Sequence, residues 1–145
     1  MPSTRLCPDA SIVVQLAGKP AGPFAAIAHS ISDGRLSLVI TKAIEDEFTS
    51  LAFRRSIQLY LYRRGISIQA FTNQIAELRQ HAEFIVVSGE APPCRDPKDR
   101  KYLHCVRDGD VPYLVTRDKD LLESTAVPAA RILTPETFVA ELDLA

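Results

Sequence analysis

The 145-residue sequence predicts an α/β fold in which helices cover both faces of a parallel sheet. Two observations carry that expectation. Short apolar runs, too short for helices and rich in β-branched or aromatic residues, recur along the chain as strands. Between them lie stretches with helical periodicity and punctuation that suits helix ends. Strands that alternate with helices build a parallel sheet buried on both sides. A length of 145 residues and a hydrophobic fraction of 46% suit one domain over residues 1–145 with its own core.

In chain order, helical patterns fall at residues 12–17 and 24–32, on either side of the breaker Gly18-Lys19-Pro20-Ala21-Gly22-Pro23. A buried strand is expected at 36–40, followed by one long helical stretch over 41–62 and another over 68–81. The run Phe84-Ile85-Val86-Val87 reads as a further buried strand, and Asp96-Pro97 opens a helix over 97–106. Strands at 113–115 and 131–133 and a helix at 135–142 complete the alternation. No repeat, low-complexity tract or long linker divides the chain.

Charge does not set the function class, because 17 basic and 18 acidic residues leave a net charge of -1. A nucleic-acid partner would therefore meet a local patch rather than a whole-molecule field. Cys7, Cys94 and Cys105 are odd in number and lack zinc-ligand spacing, which points to a reducing, cytoplasmic setting. The start Met1-Pro2-Ser3-Thr4-Arg5-Leu6 has no signal-peptide core, and no run approaches the roughly 20 apolar residues of a membrane span. A soluble protein without a membrane partner is expected.

Ligands of open parallel sheets gather beyond the carboxyl ends of the strands, so acidic residues that follow strands bear most directly on function. Glu47 lies three after Ile44 and four before Leu51, inside the stripe formed by Ala43, Ile44, Phe48 and Leu51. A carboxylate there must be paired, bind metal or escape to solvent at the edge of the stripe. Asp99 shares a helix face with Tyr102, Leu103 and Val106. It either points inward or completes a capping box behind the N-cap Asp96. Asp118 and Asp120 sit where strand 113–115 turns into a helix, as ligands or as N-caps. Asp9, just before Ile12-Val13-Val14, is equally open to a capping role.

Oxygen ligands that converge from separate segments suit Mg²⁺ or Mn²⁺ rather than zinc. Like charges brought together also need a cation. Such an ion turns water into a nucleophile at neutral pH and stabilises charge on a phosphodiester.

The order of these motifs resembles the PIN-domain family, in particular its toxins from toxin–antitoxin pairs, the VapC-like branch. It begins with an Asp near the amino terminus, then the stretch from Thr41 to Glu47-Phe48. Next come Arg95-Asp96-Pro97-Lys98-Asp99 with Tyr102-Leu103, and then Tyr113-Leu114-Val115-Thr116-Arg117-Asp118-Lys119-Asp120-Leu121-Leu122. The ending Ile132-Leu133-Thr134-Pro135-Glu136-Thr137-Phe138 fits as well, so the resemblance covers nearly the whole chain.

The resemblance implies a three-layer α/β/α sandwich with a central parallel sheet and Mg²⁺- or Mn²⁺-dependent endoribonuclease activity. It places Asp9, Glu47, Asp99 and Asp118 at the acidic positions, Asp120 as an auxiliary ligand, and Thr116 in contact with the last carboxylate. An RNA substrate, a cognate antitoxin and a homodimer are implied as partners. The first motif departs from the family pattern: Leu6-Cys7-Pro8-Asp9-Ala10-Ser11 replaces an apolar strand running into Asp-Thr-Asn or Asp-Ser-Asn. Pro8 lacks a ladder donor, Ala10 lacks a hydroxyl, and Ser11 shortens the usual amide side chain.

That departure keeps open a second reading, a PIN domain that binds RNA or protein without cutting. A third is a receiver-like phosphoacceptor domain that uses one aspartate and Mg²⁺. Arg95, Arg100, Lys101, Arg117 and Lys119 flank the acidic residues, either to neutralise RNA phosphates or as a solvated face. Arg54, Arg55, Arg63 and Arg64 punctuate a stretch with Phe53, Leu59, Tyr60, Leu61 and Tyr62, where an antitoxin or second subunit would dock. Ordinary packing beneath solvated arginines explains the same pattern. His29, His81 and His104 match no ligand pattern and are expected to be structural or superficial.

Overall fold

The computed structural model describes residues 2–144. Five parallel strands, β1 (Thr4–Pro8), β2 (Leu36–Ile40), β3 (Glu83–Phe84), β4 (Tyr113–Val115) and β5 (Arg131–Leu133), form one sheet in the order β3-β2-β1-β4-β5. Helices α1 (Ala10–Ala17) and α2 (Pro23–Ser32) follow β1, while α3 (Lys42–Ser50), α4 (Arg55–Arg63) and α5 (Ile68–Gln80) lie between β2 and β3. Helices α6 (Arg100–Asp108), α7 (Lys119–Leu122) and α8 (Pro135–Leu142) complete the chain.

Successive strand residues face opposite sides of a sheet, and this alternation sorts the core into two clusters. Cys7 of β1 and Leu114 of β4 join Ile44, Phe48, Leu61, Phe71, Tyr102 and Leu103 on one face. Leu6 and Val115 join Ile27, Phe24, Phe138 and Val139 on the other. Helices α3 to α7 thus cover one face and α2 and α8 the other, while α1 feeds both clusters, giving the expected α/β/α sandwich.

β1 is the strand that periodicity overlooks, although it lies at the centre of the sheet. The chain winds outward from β1 through β2 to β3 and then returns to place β4 and β5 on the other side, so the winding reverses between β1 and β4. A receiver domain has strand order 2-1-3-4-5. The order here differs, which removes the receiver-like alternative.

Pro8 is compatible with this central position for a local reason. The Thr4 N–H donates to Arg35 on the β2 side, whereas the Asp9 N–H donates to Val115 on the β4 side. By that alternation the absent Pro8 donor would face β2, where the β1 ladder already ends at the Leu6–Leu38 pair. The chain therefore stays in register against β4 through Pro8–Val115 and delivers Asp9 at the strand end.

Several element boundaries differ from the sequence expectation. The stretch 41–62 breaks into α3, a 3-10 turn at Leu51–Phe53, and α4. Ala43 is exposed, so the buried stripe of α3 is Ile44 and Phe48, continued by Leu51. β3 pairs with β2 alone and is an exposed edge strand, with Phe84 49% accessible, and Val86 beyond its end is 97% accessible. β-branched residues mark 84–87 as extended chain, but they do not report which side of the sheet remains unpaired. Gly65, at φ 69°, ends α4 with the Ile66 N–H bonded to the Leu61 carbonyl, the left-handed stop that glycine supplies.

Candidate active site

A cleft of about 320 Å³ opens at the carboxyl ends of β1 and β4, where the winding reverses. Asp9, Glu47, Asp99 and Asp118 all line it, together with Ala10, Ser11, Tyr102 and Arg117. Asp9 follows β1, Glu47 comes from α3, Asp99 from the 3-10 turn Pro97–Asp99, and Asp118 from the turn after β4.

Asp9 is 5% accessible and is both an N-cap and a wall of the cleft. Its Oδ1 accepts the Ile12 N–H at 3.2 Å and the Ser11 hydroxyl at 2.7 Å. Its Oδ2 accepts the hydroxyl of fully buried Thr116. Burial raises the Asp9 carboxyl above the ordinary aspartate range, against the lowering effect of Thr116, Ser11 and Ile12. Thr116 Oγ1 in turn accepts the Asp118 N–H at 2.9 Å, so one hydroxyl ties Asp9 to the turn that carries Asp118. Asp118 caps α7 by accepting the Asp120 N–H at 2.8 Å.

Asp96 supplies the cap at the following helix, since its carboxylate accepts the Lys98 N–H at 3.0 Å. The Asp99 side chain completes no capping box there and is directed to the cleft instead. Its Oδ2 is buried without a hydrogen-bond partner. Carboxylate oxygens of Asp99, Asp118 and Asp120 lie within 4.8 Å of one another. Burial, followed by the charges of Asp118, Asp96 and Asp9, pushes the Asp99 carboxyl up to about 7. A buried acceptor with no donor, beside two further carboxylates of which Asp120 alone is approached by a cation, Arg95 at 3.5 Å, is a cluster short of positive charge. An all-oxygen donor set of this kind fits a hard divalent cation.

Glu47 stands in a different environment. Its Oε1 accepts the Tyr102 hydroxyl and lies 3.1 Å from the Lys101 ammonium, and its Oε2 lies 3.0 Å from the Arg54 guanidinium. Burial alone would raise its carboxyl, but Tyr102, Arg54 and Lys101 outweigh burial and hold it below the ordinary glutamate range. Glu47 is thus already neutralised by protein groups, whereas Asp99 is not.

The flanking basic residues are engaged in several ways. Arg95 pairs with Glu123 at 2.7 Å and approaches Asp120 at 3.5 Å, while Arg100 donates to the carbonyls of Ala91 and Pro92. Arg117 pairs with Glu136 and lies 5.3 Å over the Phe24 ring. Lys101 serves Glu47, and Lys119 is exposed. Cys105 is buried and donates to the Val39 carbonyl at 3.6 Å, and His104 lies 3.4 Å from Asp108, away from the cleft lining.

Two residues of the site escape sequence reasoning. Arg54 reads there as punctuation, and Tyr102 as an apolar member of a helix face. The Tyr102 ring is 1% accessible, and its hydroxyl accepts the Ala10 N–H at 3.1 Å while donating to Glu47. A buried tyrosine needs such partners for its hydroxyl, so its position three residues after Asp99 is the available signal. Tyr102→Phe is expected to destabilise the fold by about 1–2 kcal/mol, because a buried N–H and a carboxylate each lose a partner. Denaturant midpoints of the two proteins measure this, and equal midpoints would contradict it.

Fold and site together define an α/β/α domain with an acidic cleft at the switch point of its sheet. Residues 5–120 match the PIN domain family model, and the chain belongs to that family. No curated protein matches it. PIN domains are generally nucleases that act with divalent metals, so a nuclease-type function is the class this chain falls in. No helix of the described residues is long and apolar enough to cross a membrane.

Proposed function

We propose that the protein is a Mg²⁺- or Mn²⁺-dependent endoribonuclease whose acidic cleft is the catalytic site. The observation that carries this reading is the convergence of Asp99, Asp118 and Asp120 within 4.8 Å, beside an Asp99 oxygen that has no donor. These three residues would hold the ion. Asp9 adds its charge from the strand end, and Thr116 and Ser11 fix the orientation of that carboxylate. Glu47 completes the acidic wall and joins the ion only by giving up its contact with Lys101. A bound divalent ion supplies the Lewis acidity for attack of water on a phosphodiester. Arg117, which lines the cleft, would meet a phosphate there on leaving Glu136, and of the flanking basic residues Lys119 is exposed to solvent while Arg95 and Lys101 already pair with acidic groups.

The toxin role within a toxin–antitoxin pair, with a cognate antitoxin and a cytoplasmic homodimer, is proposed from the motif order at 95–122 and 132–138. A non-cutting PIN domain is the second reading, and the protein cations already on Glu47 favour it.

Incubating the purified protein and a mixed structured RNA with Mn²⁺, Mg²⁺ or EDTA tests the enzymatic reading. Internal cuts in the metal arms alone are expected, and intact RNA in every arm would favour the binding module. Growth arrest on expression, relieved by a small neighbouring open reading frame, is the expected result for a toxin.

A further inference from the structure

Residues 49–76 contain four arginines and no acidic residue, although the whole chain has 18 acidic residues against 17 basic ones. This segment builds the 3-10 turn at Leu51–Phe53, helix α4 and most of α5. Helix α4 buries Leu61 and packs Ile57 and Tyr60 against the core. Its outer face, at helical spacings of four, three and one, carries Arg55, Leu59, Tyr62 and Arg63. Tyr62 and, just before the helix, Phe53 are each 83% accessible. Exposed aromatic rings are thus interleaved with arginines on a face that has no negative charge of its own.

The start of that face is joined to the cleft wall through Arg54. Phe53 directly precedes Arg54, whose guanidinium lies 3.0 Å from Glu47 in the cleft wall. Arg64 is drawn away from it, lying 5.1 Å over the Tyr60 ring.

We infer that the Phe53–α4 face is a binding track for single-stranded RNA that leads into the cleft, with Phe53 and Tyr62 stacking on bases and Arg55 and Arg63 meeting phosphates. The inference deepens the nuclease reading and rests on it for the identity of the strand. Aromatic platforms beside cations are the chemistry by which proteins hold single strands without reading sequence. Duplex RNA keeps its bases stacked and offers none to these rings. A second copy of the chain fits less well, because a two-fold contact centred here would set arginine against arginine.

The test is fluorescence anisotropy with a labelled, unstructured oligoribonucleotide of mixed sequence in EDTA, using Phe53→Ala, Tyr62→Ala and the double variant Arg55→Gln/Arg63→Gln. Each alanine is expected to weaken binding about tenfold. The arginine variant is expected to reduce the slope of log affinity against log salt by about 1.4. Circular dichroism spectra identical to the parent's would show that the exposed substitutions leave the fold intact.

Parent-like RNA affinity in the variants would overturn the track, and so would a parent that binds no RNA. Dissociation of a parent dimer by the variants at unchanged RNA affinity would make the face a protein contact and overturn it equally. The two readings fail separately. Parent cleavage with unaffected variants removes the track alone, whereas variant-sensitive binding without cleavage by the parent removes the nuclease alone.

Discussion

Asp118→Asn and Asp99→Asn are each expected to lower kcat/KM for RNA about a thousandfold, or ~4 kcal/mol of transition-state stabilisation. Both residues belong to the triad whose oxygens lie within 4.8 Å, and an amide keeps their shape while removing the charge that a divalent ion needs. Mn²⁺ titration calorimetry on the same proteins separates loss of the ion from loss of chemistry. The parent is expected to bind Mn²⁺ with measurable heat and both variants to lose that heat. Unchanged Mn²⁺ affinity in Asp118→Asn would remove this triad as the metal site.

The second large effect is a reversal of pH dependence on metal loading. Asp99 has a carboxyl near 7 in the fold because of burial and its acidic neighbours, against an ordinary value of 3.8. Between those values the folded protein holds a proton that the unfolded chain has released. Metal-free stability should therefore fall as pH rises from about 4 to about 7 and level off above, as far as Asp99 contributes. A cation needs the ionised carboxylate, so loading should release a proton near neutral pH and stabilise the protein more at pH 8 than at pH 6. Asp99→Asn should flatten the metal-free fall and abolish the metal gain. Thermal midpoints across this range with Mn²⁺ or EDTA give the check, and an equal Mn²⁺ gain at both pH values would contradict it.

The layered architecture was legible in the sequence because apolar runs and helical stripes carry their period locally. β1 was not, since Thr4-Arg5-Leu6-Cys7-Pro8 opens on two polar residues, ends in proline and shows its character only through two neighbours far along the chain. The exposed edge position of β3 is likewise a property of sheet order, which no local pattern contains. At the site, helix-face spacing singled out Glu47 and Asp99, the strand end singled out Asp118, and the family resemblance set Asp9 beside them; the structure gathers all four at one cleft. It does not give them one environment. The Arg54 and Lys101 contacts of Glu47 come from sequence separations of 7 and 54, and the Thr116 bridge to Asp9 spans 107 residues. Only folding reveals which carboxylate is already paired and which still lacks positive charge. Capping likewise could not be separated from ligation by sequence, because Asp9 and Asp118 each cap a helix and line the cleft at once.

The most direct measurement is the opening of a circular RNA by the purified protein in Mn²⁺, with an EDTA arm and the Asp118→Asn protein alongside. A circle has no ends, so linear product reports an internal cut. Metal-dependent linearisation by the parent, lost in EDTA and in Asp118→Asn, is the result expected of an acidic metal-dependent endoribonuclease site. Linearisation that survives EDTA or the substitution, or a circle left intact by a folded, Mn²⁺-loaded parent, would contradict it.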